Sequence, residues 1–336
     1  MSVAPQPPAT PVGSSPATRM PTNSPEAPPF RHRHLLAVEA LCLGDITLIL
    51  DRAAGFRELL RHNQEAPGVL RGRRLVNLFF ENSTRTRTSF ELAARPLGAT
   101  VINFDVGTSS FAKGESLLDT AHTIHAMGVD YIVMRHPSSG ACEFLAREVR
   151  ASVINAGDGS HEHPTQALLD AFTIREHFGC VGGLRVTIIG DLLHSRVGRS
   201  NIHCLLKLGA EVTLCGPLAL LPRDFEAFGA TVVHDADEAV KDADVVYLLR
   251  LQHERQKKGL FPSLSEYRRL FGMDTRRLAL AAPHAIVMHP GPVNRGVEIA
   301  SDILDSDRSR VLTQVTNGVA VRMATLAILE EARGRA

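Results

Sequence analysis

Residues Leu75 to Glu91 read LVNLFFENSTRTRTSFE, and the rest of the chain repeats the plan of this stretch. Leu75 to Phe80 is an apolar run of strand length. Glu81-Asn82 interrupts it, and from Ser83 the pattern turns helical, carrying Phe90, Leu92 and Ala93. A strand that runs straight into a helix aims free backbone N–H groups and the positive end of the helix dipole beyond the strand's carboxyl end. Ser83-Thr84-Arg85-Thr86-Arg87 adds three hydroxyls and two guanidiniums at that end. Such a set suits an oxyanion with several acceptor oxygens, such as a phosphate. It is not a P-loop, because it has no G-x-x-x-x-G-K-[ST] and no glycine in the turn. Taken alone, Ser-Thr-Arg reads more simply as a serine-capped helix with two surface arginines.

Outward from this stretch the alternation continues. Strands are expected at 75–80, 100–104, 130–135 and 152–156, with helices at about 84–96, 115–127, 141–149 and 165–177 between and after them. A second series begins at Leu184, with strands at 185–189, 211–214, 231–234, 245–249 and 285–289. This βαβα order predicts parallel sheets with right-handed crossovers. The fold class is therefore α/β, with two doubly wound domains, each a mainly parallel sheet flanked by helices. Ahead of the first strand, Asp45 is expected to N-cap a helix carrying Ile49, Ala53, Phe56 and Leu60. Pro96 predicts an early stop or a kink in the helix that starts near Thr84. Val319, Met323, Leu326 and Ala327 predict an amphipathic C-terminal helix.

Composition narrows the function. A chain of 336 residues with 44% hydrophobic and 22% charged residues is ordinary globular material of about two domains. A net charge of +1 argues against general nucleic-acid binding. No apolar run approaches the roughly 18 residues that span a bilayer, so no membrane association is expected. Residues 1–30 hold nine prolines. They read as a disordered tail, with neither a secretory nor a transit pattern. Five cysteines without C-x-x-C spacing fit a reducing cytoplasm. His32-x-His34 and His161-x-His163 are weak metal patterns, more simply a solvated basic junction and part of a polar loop.

In open α/β sheets, ligands bind beyond the strands' carboxyl ends. In the first series those ends carry Ser83–Thr86, Ser109–Lys113, Arg135-His136 and the run Asn155 to Gln166. In the second they carry Asp191–Arg196, Arg250-Leu251-Gln252 and His289-Pro290-Gly291-Pro292. Each group has a plain reading: Arg135 as a strand-end charge, Lys113 as a loop lysine, His163 as a core histidine capped by Asp158. Together they predict two cationic rims facing one cleft for two anionic substrates.

The strings FFENSTRTRTSFE, SSFAKGES, VMRHP, NAGDGSHEHPTQALLD, IIGDLLHSRVGRS, LRLQHER and MHPGPVNRGVEI resemble the aspartate and ornithine transcarbamoylases, over residues 35 to 334. The later strings resemble the aspartate enzymes. Ornithine enzymes have His-Cys-Leu-Pro in place of His289-Pro-Gly-Pro292, and a Ser-Met-Gly loop that is missing from this chain. The resemblance implies transfer of a carbamoyl group from carbamoyl phosphate to L-aspartate, a step of pyrimidine biosynthesis, without metal or other cofactor. It implies a transcarbamoylase fold with a carbamoyl-phosphate domain of residues 31–164 plus 317–336 and an aspartate domain of residues 165–316.

By the same resemblance, Ser83, Thr84, Arg85 and Thr86 hold the phosphate. Thr86, Arg135 and His163 bind the carbamoyl oxygen, and Gln166 meets the carbamoyl nitrogen. Arg85, Thr86, Arg135 and His163 form the catalytic set. Arg196, Arg250, Gln252 and backbone near Gly291 and Pro292 bind aspartate. Ser109 and Lys113 arrive from a neighbouring subunit of a homotrimer, with Lys113 reaching both substrates. Glu81 and Arg255 are expected to make charge contacts between the domains. The family's usual Pro-Leu-Pro is Pro290-Gly291-Pro292 in this chain, and a cis peptide is expected before Pro292. The ending HPGPVNRGVEI and the Pro-rich start resemble the branch whose trimers assemble with a dihydroorotase-like chain. Other readings stand beside this one. They are an ornithine or other amine carbamoyltransferase, a non-catalytic scaffold, and a dinucleotide-binding dehydrogenase. The last rests on Ile188-Ile189-Gly190-Asp191 but lacks G-x-G-x-x-G.

Overall fold

The computed structural model describes residues 30–105, 116–251 and 263–335. The expected Pro-rich tail lies outside them apart from Phe30. The first series of elements is α1 (Leu43–Arg61), β1 (Arg74–Phe79), α2 (Thr84–Ala94), β2 (Thr100–Asp105), α3 (Leu117–Ala126), β3 (Tyr131–His136), α4 (Ala141–Glu148), β4 (Ser152–Asp158) and α5 (Pro164–Phe178). Its strands form one sheet in the order β2-β1-β3-β4, every pair parallel. β1, β3 and β4 are largely buried because both faces of the sheet are covered there, whereas the edge strand β2 is more exposed. Val76, Leu78, Ile132 and Met134 face a core shared with Ala121, Ile124 and Leu145 of α3 and α4. Leu75, Tyr131, Val133 and Ile154 face Phe56, Phe90, Phe172 and Met323 on the other side. Burying each such aromatic or aliphatic side chain stabilises the fold by about 1.5–3 kcal/mol.

The second series comprises β5 (Arg185–Ile189), α6 (Arg196–Lys207), β6 (Glu211–Cys215), β7 (Thr231–Val233), α7 (Ala236–Val240), β8 (Val245–Leu248), α8 (Leu264–Phe271), α9 (Thr275–Leu278), β9 (Ile286–Met288), α10 (Ser301–Leu304) and α11 (Val311–Arg333). Its sheet runs β7-β6-β5-β8-β9, again all parallel. It too has an apolar layer on each face.

Helix α5 leads from one sheet to the other. Pro164 opens it, Gly179 closes it in a left-handed conformation, and the run from Ala167 to Ile174 is buried without a break. Helix α11 packs against α1, α2 and α5 and adds Val321, Met323, Leu326 and Ala327 to the first core. By length and composition α11 also reaches the threshold for a membrane span, with a mean hydropathy of 1.2. This corrects the expectation that no apolar run does so. With 72% of that window buried, its apolarity is accounted for by core packing.

Two local expectations resolve differently from one another. Asp45 is not the N-cap of α1, because the helix starts earlier and Cys42 caps it. Cys42 Sγ accepts from Asp45 N–H at 3.4 Å, and Asp45 Oδ2 accepts from Cys42 N–H at 2.9 Å. Asp45 thus occupies the third helical position of a reciprocal capping box. Pro96 does end its helix early: α2 stops at Ala94, where Arg95 N–H still donates to Glu91. Cys142, Cys204 and Cys215 are buried and Cys42 and Cys180 exposed, all as free thiols.

Candidate active site

Both sheets reverse strand order once, and each reversal opens a crevice at the carboxyl ends. In the first sheet the reversal lies between β1 and β3, whose ends deliver Glu81–Thr86 and Arg135. In the second it lies between β5 and β8, whose ends deliver Asp191–Arg196 and Arg250. The two crevices open into one cavity of about 590 Å³. Ser83, Thr84, Arg85, Thr86, Arg135, His163, Gln166, Arg196, Arg250, Gly291 and Pro292 all line it. Ser109, Lys113, Gln252 and Arg255 lie outside the described residues.

The cavity is cationic. Among the described residues its lining includes five arginines and one carboxylate, Glu81. Burial, and after it the Arg250 charge, push the Arg85 guanidinium below its usual range. Two cations that disfavour one another across an open cleft are stabilised by an anion between them. The helix end adds to this. Ser83 makes no capping bond, so the plain reading of a serine-capped helix fails. Its hydroxyl instead accepts from Arg135 Nη1 at 3.2 Å, leaving the first amides of α2 directed at the cleft.

Glu81 links the two sides. Its Oε2 accepts from Arg135 Nε at 3.1 Å and from Arg196 Nη2 at 2.6 Å. Arg135 comes from the first sheet and Arg196 from the second, so this carboxylate ties the domains across the cleft. Arg196 also donates to Gly159 O at 3.3 Å and is only 4% exposed.

Two glycines admit arginines from the opposite side. A Cβ on Gly157, at the end of β4, would lie 2.7 Å from Arg196 Nε. A Cβ on Gly291 would lie 1.7 Å from Arg85 Nη1. Both have positive φ, +114° and +63°. The glycine that replaces the family's leucine is therefore the position against which Arg85 packs. The peptide between Gly291 and Pro292 is cis, as expected.

His163 is 3% exposed, and its Nδ1 is buried without a hydrogen-bond partner. Asp158 does not cap it. That carboxylate binds His161 Nδ1 at 3.1 Å, along with Asn155 and the amide of Gly140. Burial, then the Arg135, Arg322 and Arg196 charges, hold His163 well below the usual histidine range, so it is neutral at pH 7. Outside the cleft, Glu39, Glu162 and His203 bring ligand-type atoms within 4.8 Å of one another. There Glu162 accepts from the amides of Val38 and Glu39 and from Ser200 Oγ, joining the segment before α1 to α6.

Sequence reasoning gave no site role to the polar lining residues Ser89, Gln314 and Arg322, nor to the apolar Val311 and Val315. Arg322 donates to Ser89 Oγ at 2.8 Å, and its guanidinium lies 5.1 Å from the Phe90 ring centre. Its signal was a lone cation on the apolar stripe of α11, three residues after Val319.

Comparison with known proteins agrees with this geometry. The family model described as aspartate/ornithine carbamoyltransferase, carbamoyl-P binding domain, matches residues 33–176. The one for the Asp/Orn binding domain matches residues 182–329. An aspartate carbamoyltransferase catalytic subunit from Desulforamulus reducens is 55% identical over 300 residues, 89% of this chain and 96% of the relative. Aspartate transcarbamoylase from Trypanosoma cruzi, solved with N-(phosphonacetyl)-L-aspartic acid, superposes with a TM-score of 0.81 at 34% identity, covering 90% of this chain and 98% of that one. Ornithine carbamoyltransferase from Pyrococcus furiosus reaches 0.79 at 30% identity, covering 88% and 96%. Backbone shape alone therefore does not choose the amine, whereas the higher sequence identity lies with an aspartate-named relative. Fold and cleft together define a two-domain α/β transferase whose site lies between two parallel sheets. The chain belongs to the aspartate/ornithine carbamoyltransferase family, and it groups with the aspartate carbamoyltransferase catalytic subunits.

Proposed function

We propose that the cleft transfers the carbamoyl group of carbamoyl phosphate to L-aspartate, giving N-carbamoyl-L-aspartate and phosphate for pyrimidine biosynthesis. The observation that carries this reading is the pairing of an uncapped α2 N-terminus and Arg85 on one sheet with Arg196 and Arg250 on the other. A phosphate and an amino diacid need cations on both sides, whereas the side-chain amine of ornithine would call for carboxylates. Ser83, Thr84, Arg85 and Thr86 take the phosphate. Arg196, Arg250, Gln252 and the backbone at Gly291 and Pro292 take the aspartate. We assign residues 31–164 with 317–336 to the carbamoyl-phosphate side and 165–316 to the aspartate side.

The neutral amine of aspartate attacks the carbamoyl carbon. A C–N bond forms, negative charge gathers on the carbonyl oxygen, and the C–O bond to phosphate then breaks. Thr86, Arg135 and neutral His163 donate to that oxygen, and losing one such donor typically costs about 10²–10³ in turnover. The departing phosphate accepts the amine proton, so no dedicated base is required. Positioning of both substrates supplies much of the acceleration.

The active unit is a homotrimer that shares sites through Ser109 and Lys113. In its support, β2 is an edge strand of the described sheet, and Ile102 and Leu92 beside it are 41% and 53% exposed. Exposed apolar groups along a sheet edge favour a protein partner. The sequence ending HPGPVNRGVEI supports a dihydroorotase-like chain as a further partner, and the free thiols support a cytoplasmic location.

The test is a direct assay with aspartate and ornithine, run beside Arg85→Ala. Carbamoyl-aspartate formation by the wild type, with kcat/KM for carbamoyl phosphate lost in the variant, is expected. Preference for ornithine, or a variant with undiminished kcat/KM, would overturn the assignment.

A further inference from the structure

Beneath the cleft floor lies a carboxylate that the proposed chemistry leaves unused. Asp170 on α5 is completely buried, and four side chains from four elements converge on it. Its Oδ1 accepts from Gln166 Nε2 at 3.0 Å and from Gln314 Nε2 at 2.7 Å. Its Oδ2 accepts from Tyr247 OH at 2.7 Å and from Asn201 Nδ2 at 2.9 Å. Two of these partners, Gln166 and Gln314, line the cleft. Gln314 passes the connection on: its Oε1 accepts from His289 N–H at 3.0 Å, and His289 Nδ1 accepts from Gly291 N–H at 2.8 Å.

We propose that Asp170 is a positioning residue for both halves of the reaction. An ionised carboxylate only accepts, so each glutamine must turn its NH₂ inward. For Gln166 this leaves the carbonyl oxygen as the group offered to the cleft, an acceptor for the carbamoyl NH₂. For Gln314 it leaves the oxygen on His289, which holds the His289–Pro292 loop where the amine substrate binds. One buried charge therefore sets the amide on the carbamoyl side and the backbone on the aspartate side. This inference rests on the carbamoyl-transfer reading and goes beyond it by naming the group that orients its contacts.

A proton on Asp170 would turn an acceptor into a donor facing four donors, and at least one bond would be lost. Burial pushes this carboxyl up to about 6, outweighing the four hydrogen bonds that pull it down. The groups facing it are Gln166 on its own helix, Asn201 and Cys204 on α6, Tyr247 on β8, and Gln314 with the Arg322 cation on α11. Because Asp170 is ionised above that pH, activity should fall as pH drops through it.

The experiment is kcat/KM for carbamoyl phosphate against pH, which reports ionisations of the enzyme before carbamoyl phosphate binds. Wild type, Asp170→Asn and Tyr247→Phe are compared at saturating aspartate. The substrates' own titrations give the same slope to all three proteins, so differences between the curves belong to the protein. Asp170→Asn has a reason to fold: Asn201 Oδ1 is buried without a partner, and that amide can turn to accept from the new NH₂. The expected result is a wild-type acid limb near pH 6 that is absent from Asp170→Asn. Tyr247→Phe, outside the cleft, should move the limb up by about one to two pH units, the worth of one hydrogen bond to a charged group. Coincident limbs in wild type and a folded Asp170→Asn, or an unmoved limb in Tyr247→Phe, would overturn the proposal. Should Asp170→Asn fail to fold, the Tyr247→Phe limb decides alone. A wild type that makes no carbamoyl-aspartate overturns the proposed function and this inference with it, whereas an active wild type with unmoved limbs overturns only the role of Asp170.

Discussion

Gly157 and Gly291 place a chemical demand on single positions that no side-chain motif expresses. Each is the point where backbone on one side of the cleft yields to an arginine from the other, Arg196 and Arg85 respectively. Gly157→Ala puts a methyl group 2.7 Å from Arg196 Nε at a backbone angle of +114°, which a side chain rarely adopts. The strain is about 1–3 kcal/mol. The expected response is that Arg196 leaves Glu81, and KM for aspartate rises about tenfold or more while carbamoyl-phosphate binding changes little, since each 1.4 kcal/mol is tenfold. Steady-state kinetics with both substrates varied would measure this, and an unchanged aspartate KM would refute the socket role of Gly157. Charged and hydroxyl residues at strand ends were legible in the sequence because their chemistry is intrinsic to the side chain. Ser83, Arg85, Arg135 and Arg196 were found that way, and they do line one cavity. The glycine sockets were not legible in that way. What matters at a glycine is the space a Cβ would fill, and that exists only after folding. The same holds for Asp170, which in the sequence is one more acidic residue in a helical run.

Among elements, α11 combines two roles that sequence separates poorly. The spacing of Val319, Met323, Leu326 and Ala327 made its helical character and apolar face readable. Arg322 on the same face reads as a surface residue, because nothing in a single charge within an apolar pattern signals burial. In the folded protein it is 4% exposed, and burial lowers its guanidinium to about 10. Gly318, whose Cβ would meet Arg322 Nη1 at 2.5 Å, leaves room for it. A buried cation whose hydrogen-bond partner is one hydroxyl, with a ring face beside it and the Asp170 charge acting without a direct bond, costs stability unless an anion joins it directly. Arg322→Met keeps a flexible apolar stem and removes the charge. The expected outcome is a melting temperature equal to or above wild type in the absence of ligand, together with about tenfold weaker carbamoyl-phosphate binding. A thermal melt and a ligand titration on one preparation separate the two effects. A strongly lowered melting temperature with intact binding would assign Arg322 to the fold alone. Element boundaries carried a milder version of the same lesson. α1 starts two residues before Asp45 because Cys42 can cap through sulfur, and residue type alone favoured the aspartate.

For the whole molecule, the proposed homotrimer makes the decisive relation one between chains. Parallel sheets and a doubly wound order were legible from alternation, because each strand's apolar run and each helix's periodic face are local signals. How many chains share a site is not local. It depends on which groups lie across an interface, and a single chain's pattern holds only half of each pair. The proposed trimer takes Arg85 from one chain and Lys113 from its neighbour, and this makes a sharp prediction. Arg85→Ala and Lys113→Ala chains are each expected to be inactive as pure trimers, since every site lacks one cation. Mixed and allowed to exchange at equal amounts around a closed ring, they should place a Lys113→Ala chain's intact Arg85 beside an Arg85→Ala chain's intact Lys113 in about a quarter of sites. Activity should therefore recover to roughly a quarter of wild type, with the wild-type KM for both substrates, because the recovered sites are complete. If both groups belonged to one chain's site, every site in the mixture would still lack one of them and no mixing ratio would restore turnover. Subunit exchange verified by mass spectrometry of the assembled species, followed by no recovery, would therefore remove Lys113 from the neighbour's site and with it the need for a trimer in the chemistry.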